Sequence, residues 1–167
     1  GIYGVEDAAG LAYYGLHTLQ HRGQQGCGIV TVDSEGAFHR VKGEGLVSEV
    51  INEKAIAKLP GKMAIGHVRY SNAGCKGTEN LQPFLFHHNS GDFALANNGQ
   101  IVNYSQLRDE LEDRGSLFQS NSDAEVLAHL IKKQGIDKDQ PRIHSLKNAL
   151  NMLDGAFAFV VMTGRRI

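Results

Sequence analysis

Three polar clusters in this chain hold residue types that could bind or transform a small substrate. Arg69, in Gly66-His67-Val68-Arg69-Tyr70-Ser71-Asn72-Ala73-Gly74, closes an apolar run. A guanidinium in such a place needs an anion, and its parallel N–H groups fit a carboxylate. That carboxylate is either an internal acidic residue or part of a substrate. Asn98 and Gly99, in Ala96-Asn97-Asn98-Gly99-Gln100, read as a hairpin turn. That hairpin is the first reading; the functional one is an oxyanion hole, in which a side-chain amide and a glycine N–H point at one developing negative oxygen. Asp123, in Asn121-Ser122-Asp123-Ala124-Glu125, suits the first turn of a helix through the helix dipole, and it suits a substrate ammonium as well. Together the three ask for an amino acid, with Arg69 on its carboxylate, Asp123 on its ammonium and Asn98 with Gly99 on an oxyanion. The set lacks a nucleophile.

Other polar groups read more plainly. Gln20-His21-Arg22-Gly23-Gln24-Gln25-Gly26 reads as a helix cap and turn. Cys75 lies in a glycine-rich loop with no neighbour that marks an activating base, so it reads as a free thiol. Gly43-Glu44-Gly45 only begins a dinucleotide-binding pattern, because Ser48 stands where the third glycine belongs. His67, His87 and His88 show no metal-site spacing, and no metal is expected here.

The elements that must position these residues follow from periodicity. Strands are expected at residues 2–5, 28–32, 37–41, 63–68, 84–86, 93–96 and 156–162. A helix is expected over 8–20 with a stripe of Leu11, Tyr14, Leu16 and Leu19, and a short one over 53–59 before Pro60-Gly61. Three more follow: one capped at Asn103 or Ser105 and ending at Gly115, one opened by a capping box at Ser122–Glu125, and one carrying Ile143, Leu146, Leu150 and Leu153. This order lacks the strict alternation of a doubly wound parallel sheet and points to an antiparallel α+β fold.

The 167 residues suit one domain, with no repeat or linker. A net charge of -1 argues against general nucleic-acid binding, and no stretch is apolar enough to span a bilayer. Cys27 and Cys75 fit reduced thiols. With no signal-peptide pattern at Gly1-Ile2-Tyr3-Gly4-Val5, a cytoplasmic location is expected.

Five segments, in order along nearly the whole chain, resemble the glutamine phosphoribosylpyrophosphate amidotransferase family. They are residues 13–24, Ala64-Ile65-Gly66-His67-Val68-Arg69-Tyr70, Glu79-Asn80-Leu81-Gln82-Pro83, Asn98-Gly99, and Ser122-Asp123 with Glu125-Val126-Leu127-Ala128-His129-Leu130. The resemblance implies a class II glutaminase domain over residues 1–167, with the four-layer αββα sandwich of N-terminal-nucleophile hydrolases and its two antiparallel sheets. It implies an N-terminal cysteine that attacks the glutamine amide with its own α-amine as base. Arg69 would then grip the substrate carboxylate, Asp123 its ammonium, and Asn98 and Gly99 the oxyanion. Arg22 and Gly23 would line the site, and residues 69–72 would form a mobile loop over L-glutamine.

Three departures accompany the resemblance. The family motif begins Cys-Gly, whereas this sequence begins Gly1-Ile2-Tyr3-Gly4. The nucleophile would stand immediately before Gly1, and residues 1–167 by themselves would not turn over glutamine. Asn72 replaces a usual threonine, and Asn97 a common histidine. The family's other half, a phosphoribosyltransferase domain of the same polypeptide, uses magnesium and is expected outside these residues. The whole enzyme would be an oligomer of like subunits making phosphoribosylamine, the first step of purine synthesis. This domain itself is expected to hold no cofactor, and two separated cysteines do not suit an iron–sulfur cluster. Two other readings stand beside this one. A glucosamine-6-phosphate synthase-like glutaminase fits less well at His21-Arg22-Gly23-Gln24 and Val68-Arg69-Tyr70. A non-catalytic glutamine-binding module would keep Arg69, Asn98, Gly99 and Asp123 without the nucleophile.

Overall fold

Two sheets organise the residues that this computed structural model describes, namely 1–70, 77–89, 91–133 and 142–167. The first has the order β1-β4-β2-β3, from Ile2–Tyr3 (β1), Gly26–Val32 (β2), Phe38–Glu44 (β3) and Met63–Arg69 (β4). All of its pairings are antiparallel. The second has the order β5-β6-β7, from Phe84–Phe86 (β5), Phe93–Ile101 (β6) and Gly155–Thr163 (β7). Helices complete the expected α+β class. The chain divides into two units, Gly1–Asn97 with Phe159–Ile167, and Asn98–Ala158.

In the first unit β2 is buried along its whole length, because both faces of its sheet are covered. Cys27 and Ile29, with Ala64 of β4, meet Ala8, Ala9, Ala12 and Leu16 of helix α1 (Ala8–Thr18). The opposite face, Val30, Val32, Met63 and Ile65, packs on Ala94 of β6 and Met162 of β7. Helix, sheet and sheet thus follow one another in layers. The expected stripe on α1 is wrong in three of its four members: Leu11, Tyr14 and Leu19 are 45%, 68% and 40% exposed. Alanines line the buried face instead, and Leu16 fills the space over Gly66, where an added β-carbon would stand 2.9 Å from Leu16 Cδ1. Small side chains bring the helix close to the sheet, which an apolar-stripe reading does not weigh.

Helix α2 (Val47–Val50) was not anticipated, and α3 (Glu53–Ile56) is capped by Asn52, whose side chain accepts from Ala55 N at 3.1 Å.

The second unit holds α4 (Tyr104–Asp113), α5 (Ala124–Lys133) and α6 (Arg142–Leu150). Helix α4 ends as expected at Gly115, at φ 84°, where Ser116 N donates to Leu111 O at 2.9 Å. Lys133 Nζ donates to Leu111 O and Arg114 O, each at 3.1 Å, and so ties α5 to the carboxyl end of α4. The apolar face expected of α6 is only partly real. Ile143 is 64% exposed, while Ser145 and Ala149 are buried.

Candidate functional site

In the first unit the site residues gather where β2 and β4 end together, with Gly26 opposite Arg69. Strand alternation puts His67 and Arg69 on the face of Ile65, toward the second sheet, while Gly66 faces Leu16 on α1. Arg69 is partly buried, and its carbonyl accepts from Gln25 N at 3.2 Å. Gly23 lies directly on the Arg69 main chain. The turn that delivers Gly23 is held by Gln20, whose Nε2 donates to Gly23 O at 2.6 Å and whose Oε1 accepts from Val47 N at 2.7 Å. This turn follows α1 as expected, with a 3₁₀ turn over Gln20–Arg22. Arg22 is exposed at its end, and Tyr70 is 74% exposed.

His67 carries an imidazole whose pKa burial pushes down to about 4, with Arg69 adding to the fall and a backbone hydrogen bond at Asn97 opposing it. The ring is therefore neutral at pH 7. Its Nδ1 is enclosed and without a hydrogen-bond partner among the described residues. His87 pairs with Asp92 at 2.7 Å. No group of three or more metal-ligating side chains occurs among the described residues. Cys27 is buried in the core, and burial pushes its thiol up to about 11, so it is a poor nucleophile at neutral pH.

Asn97-Asn98-Gly99-Gln100 is not a hairpin turn. It is the second half of β6, a nine-residue strand. The hairpin turn favoured by Asn-Gly needs positive φ at both residues, and among the described residues only glycines have it. Asn97 is buried, whereas Asn98, Gly99 and Gln100 are exposed. Gly99 adopts φ 140°, and a β-carbon there would stand 2.1 Å from Ala156 O of β7. Glycine thus serves both the conformation and the close approach of the next strand.

In the second unit Asp123 stands just before α5, partly buried, and its Oδ2 accepts from Ile101 N at 2.8 Å. Asp123 is thereby fastened to the strand that carries Asn98 and Gly99, two residues past the glycine. The expected capping box at Ser122 does not form. Glu125 turns back further, accepting from Gln119 N at 2.9 Å, Ser120 N at 2.8 Å and Ser120 Oγ at 2.6 Å. His129 Nε2 lies 3.5 Å from Glu125 Oε1 without a hydrogen bond to it. A fully buried carboxylate needs this many donors, and the loop folds around it to supply them. Arg108 braces the same loop, donating to Ser120 O at 3.0 Å and lying 4.5 Å from the Phe118 ring.

The structure therefore brings Arg22, Gly23 and Arg69 together in one unit, and Asn98, Gly99 and Asp123 together in the other. Asn72 and Cys75 lie outside the described residues. Gln82, whose Oε1 accepts from Asn97 N at 2.6 Å, and Glu125 carry more of the local order than their sequence context suggested. For Gln82 the only signal was its place before a proline in a polar, otherwise unexplained motif.

The profile of the glutamine amidotransferase domain matches residues 67–167. The amidophosphoribosyltransferase of Bacillus subtilis (strain 168) is 54% identical over 166 residues, which cover 98% of this chain and 34% of that protein. An amidophosphoribosyltransferase sequence from Lacticaseibacillus casei is 49% identical over 164 residues, covering 98% of this chain and 82% of that sequence. Among solved structures, the allosteric regulatory enzyme of purine biosynthesis superposes with a TM-score of 0.90 at 51% identity, over 98% of this chain and 34% of that one. The chain spans about a third of the length of the Bacillus subtilis relative.

Proposed function

The chain belongs to the amidophosphoribosyltransferase family, in its glutamine amidotransferase domain, and from that premise we propose that it releases ammonia from L-glutamine for a phosphoribosyltransferase half. The observation that carries the reading is the bond between Asp123 and Ile101. It holds an acid beside a strand whose Asn98 and Gly99 are exposed and extended rather than folded into a turn.

The nucleophile in this reading is a cysteine immediately before Gly1. The register of β1 on β4, with Ile2 opposite Ala64, carries a residue preceding Gly1 to a place opposite Gly66, three residues from Arg69 on the same strand. Its α-amine takes the thiol proton, and the thiolate attacks the side-chain amide carbon of glutamine. The carbonyl oxygen becomes an oxyanion, received by the Asn98 side-chain N–H and the Gly99 N–H, and each such donor contributes about 2.7–4 kcal/mol. Collapse expels ammonia with the proton returned by the amine. Water then cleaves the thioester to glutamate. Arg69 binds the α-carboxylate as a bidentate clamp. Asp123 binds the α-ammonium, since a carboxylate that accepts one bond from Ile101 N keeps capacity for more. Arg22 and Gly23 line the approach to the nucleophile.

In the whole protein the ammonia passes to phosphoribosyl pyrophosphate and gives phosphoribosylamine, opening purine synthesis. Magnesium belongs to that other half, and residues 1–167 work without a cofactor. The enzyme works in the cytoplasm as an oligomer of like subunits. No helix among the described residues is long and apolar enough to cross a membrane.

The test is ammonia release from glutamine by this chain with one unblocked cysteine placed before Gly1. Release that disappears when that cysteine is changed to alanine supports the glutaminase. A folded protein that binds glutamine without releasing ammonia supports a non-catalytic binding module instead.

A further inference from the structure

We propose that Gln82 is a positioning residue for the oxyanion donors: its side-chain oxygen takes over from the β5 backbone where that strand ends and fixes β6 just before Asn98. The proposal rests on the reading of Asn98 and Gly99 given above. It also accounts for the Glu79-Asn80-Leu81-Gln82-Pro83 motif, to which no role was assigned.

Strand β5 pairs with β6 through Phe86 and Phe93, Leu85 and Ala94, and Phe84 and Leu95. One step further in that register Pro83 faces Ala96, and two steps further Gln82 faces Asn97. Strand β5 has ended there, and its backbone pairing with β6 stops at Leu95. The N–H of Asn97 nevertheless has a partner. It donates to Gln82 Oε1 at 2.6 Å, with both residues buried. A side-chain amide stands in for the missing strand.

Gln82 is itself held rigidly. Its predecessor Leu81 is 1% exposed, and the Leu81 carbonyl accepts from Lys42 Nζ at 3.1 Å. Its own carbonyl lies so close to β2 that a β-carbon at Gly28 would stand 2.6 Å away. Gly26 admits Leu81 in the same manner, with 2.6 Å to Leu81 Cδ2. Two glycines thus let residues 81–83 settle onto β2, and that seating aims the Gln82 amide at β6. The Gln82 side chain thus holds Asn97, the residue immediately before Asn98. Donors aimed at a developing charge are effective when they need not reorganise, so fixing the preceding residue acts on the transition state.

The test uses the chain with a cysteine before Gly1 and the substitutions Gln82→Met and Gln82→Glu. Methionine keeps the length of the side chain without a strong acceptor; glutamate keeps an acceptor oxygen. For Gln82→Met the expected result is a fall in kcat of about tenfold with KM for glutamine within about twofold, the pattern of an interaction made in the transition state. The amide NMR signals of Asn98 and Gly99 should shift and exchange faster with solvent, and Gln82→Glu should recover most of the lost rate. Unchanged kcat overturns the proposal. So does a parallel loss of kcat, KM and thermal stability with the Asn98 and Gly99 signals unmoved. If the unsubstituted protein releases no ammonia, the glutaminase reading fails by itself. The amide signals then decide on Gln82: their shift retains its hold on β6, and their constancy removes it.

Discussion

Gly23 rests directly on the main chain of Arg69, so that a β-carbon at position 23 would stand 2.5 Å from the Arg69 carbonyl carbon and 2.7 Å from its oxygen. The backbone at Gly23, φ -175°, is open to any residue, so the demand for glycine comes from contact alone. The neighbour is backbone, held in the sheet by the pairing of Arg69 with Gly26, and cannot swing aside. Gly23→Ala should therefore displace either the turn or Arg69. The expected outcome is a loss of about 1–3 kcal/mol of stability from overpacking, together with a raised KM for glutamine. Urea unfolding and steady-state kinetics check the two parts. A variant with native stability and native KM would contradict the assignment of Arg69 as the carboxylate clamp supported by this turn.

The residues assigned to the site were easier to pick out in the sequence than the contacts that hold them. Arg69, Asp123, Asn98 and Gly99 stood out because a guanidinium, an acid and an Asn-Gly pair are costly or unusual next to apolar runs. Even so, local rules misread two of the surroundings. Asn-Gly signals a hairpin when only neighbours in sequence count, but here β7 approaches Gly99 so closely that the strand continues through it. Ser122 and Glu125 have capping-box spacing, but Glu125 is drawn to the N–H groups of Gln119 and Ser120, which lie outside the helix. Gln82 was illegible for the same reason. Its partner is 15 residues away and is found only once β5 and β6 are in register.

Asp123 has two duties that substitutions can separate. Its Oδ2 accepts from Ile101 N, and its negative charge is assigned to the substrate ammonium. Asp123→Asn keeps an oxygen for Ile101 and removes the charge, so KM for glutamine should rise about tenfold or more with little change in stability. Asp123→Ala removes both, and should lose about 1 kcal/mol of stability besides. Kinetics and denaturant unfolding on the two variants are compared side by side. Equal KM values for wild type and Asp123→Asn would assign the ammonium elsewhere.

Glu125 makes the loop before α5 sensitive to acid. Burial alone would raise its pKa, but the nearby His129 ring and bonds from the Ser120 hydroxyl and the Gln119 and Ser120 amides outweigh burial and hold it below its ordinary 4.5. A carboxylate with a depressed folded pKa stabilises the fold above its unfolded pKa, and that stability is lost as pH falls through the folded value. Glu125→Gln replaces an acceptor with an NH₂ group facing donors, and should cost about 2 kcal/mol at pH 7. The difference between wild type and variant should shrink steadily below pH 4.5. Unfolding curves taken between pH 7 and pH 3 measure it. A difference independent of pH would mean that the ionised carboxylate does not organise this loop.

His67 gives a second acid dependence in a higher range. Its folded pKa, about 4, lies below the ordinary 6.5 because burial disfavours the imidazolium. The unfolded chain then takes up the proton first, so the neutral ring contributes stability that is fully present above pH 6.5 and falls as pH drops toward 4. One proton limits the slope to about 1.4 kcal/mol per pH unit. His67→Gln, which cannot titrate, should flatten stability against pH in this window while leaving the dependence below pH 4.5 that belongs to Glu125. An NMR titration of the His67 ring should show no protonation between pH 8 and pH 6, a range in which exposed histidines begin to charge. Protonation of His67 near pH 6.5 would show that the ring is solvated rather than buried.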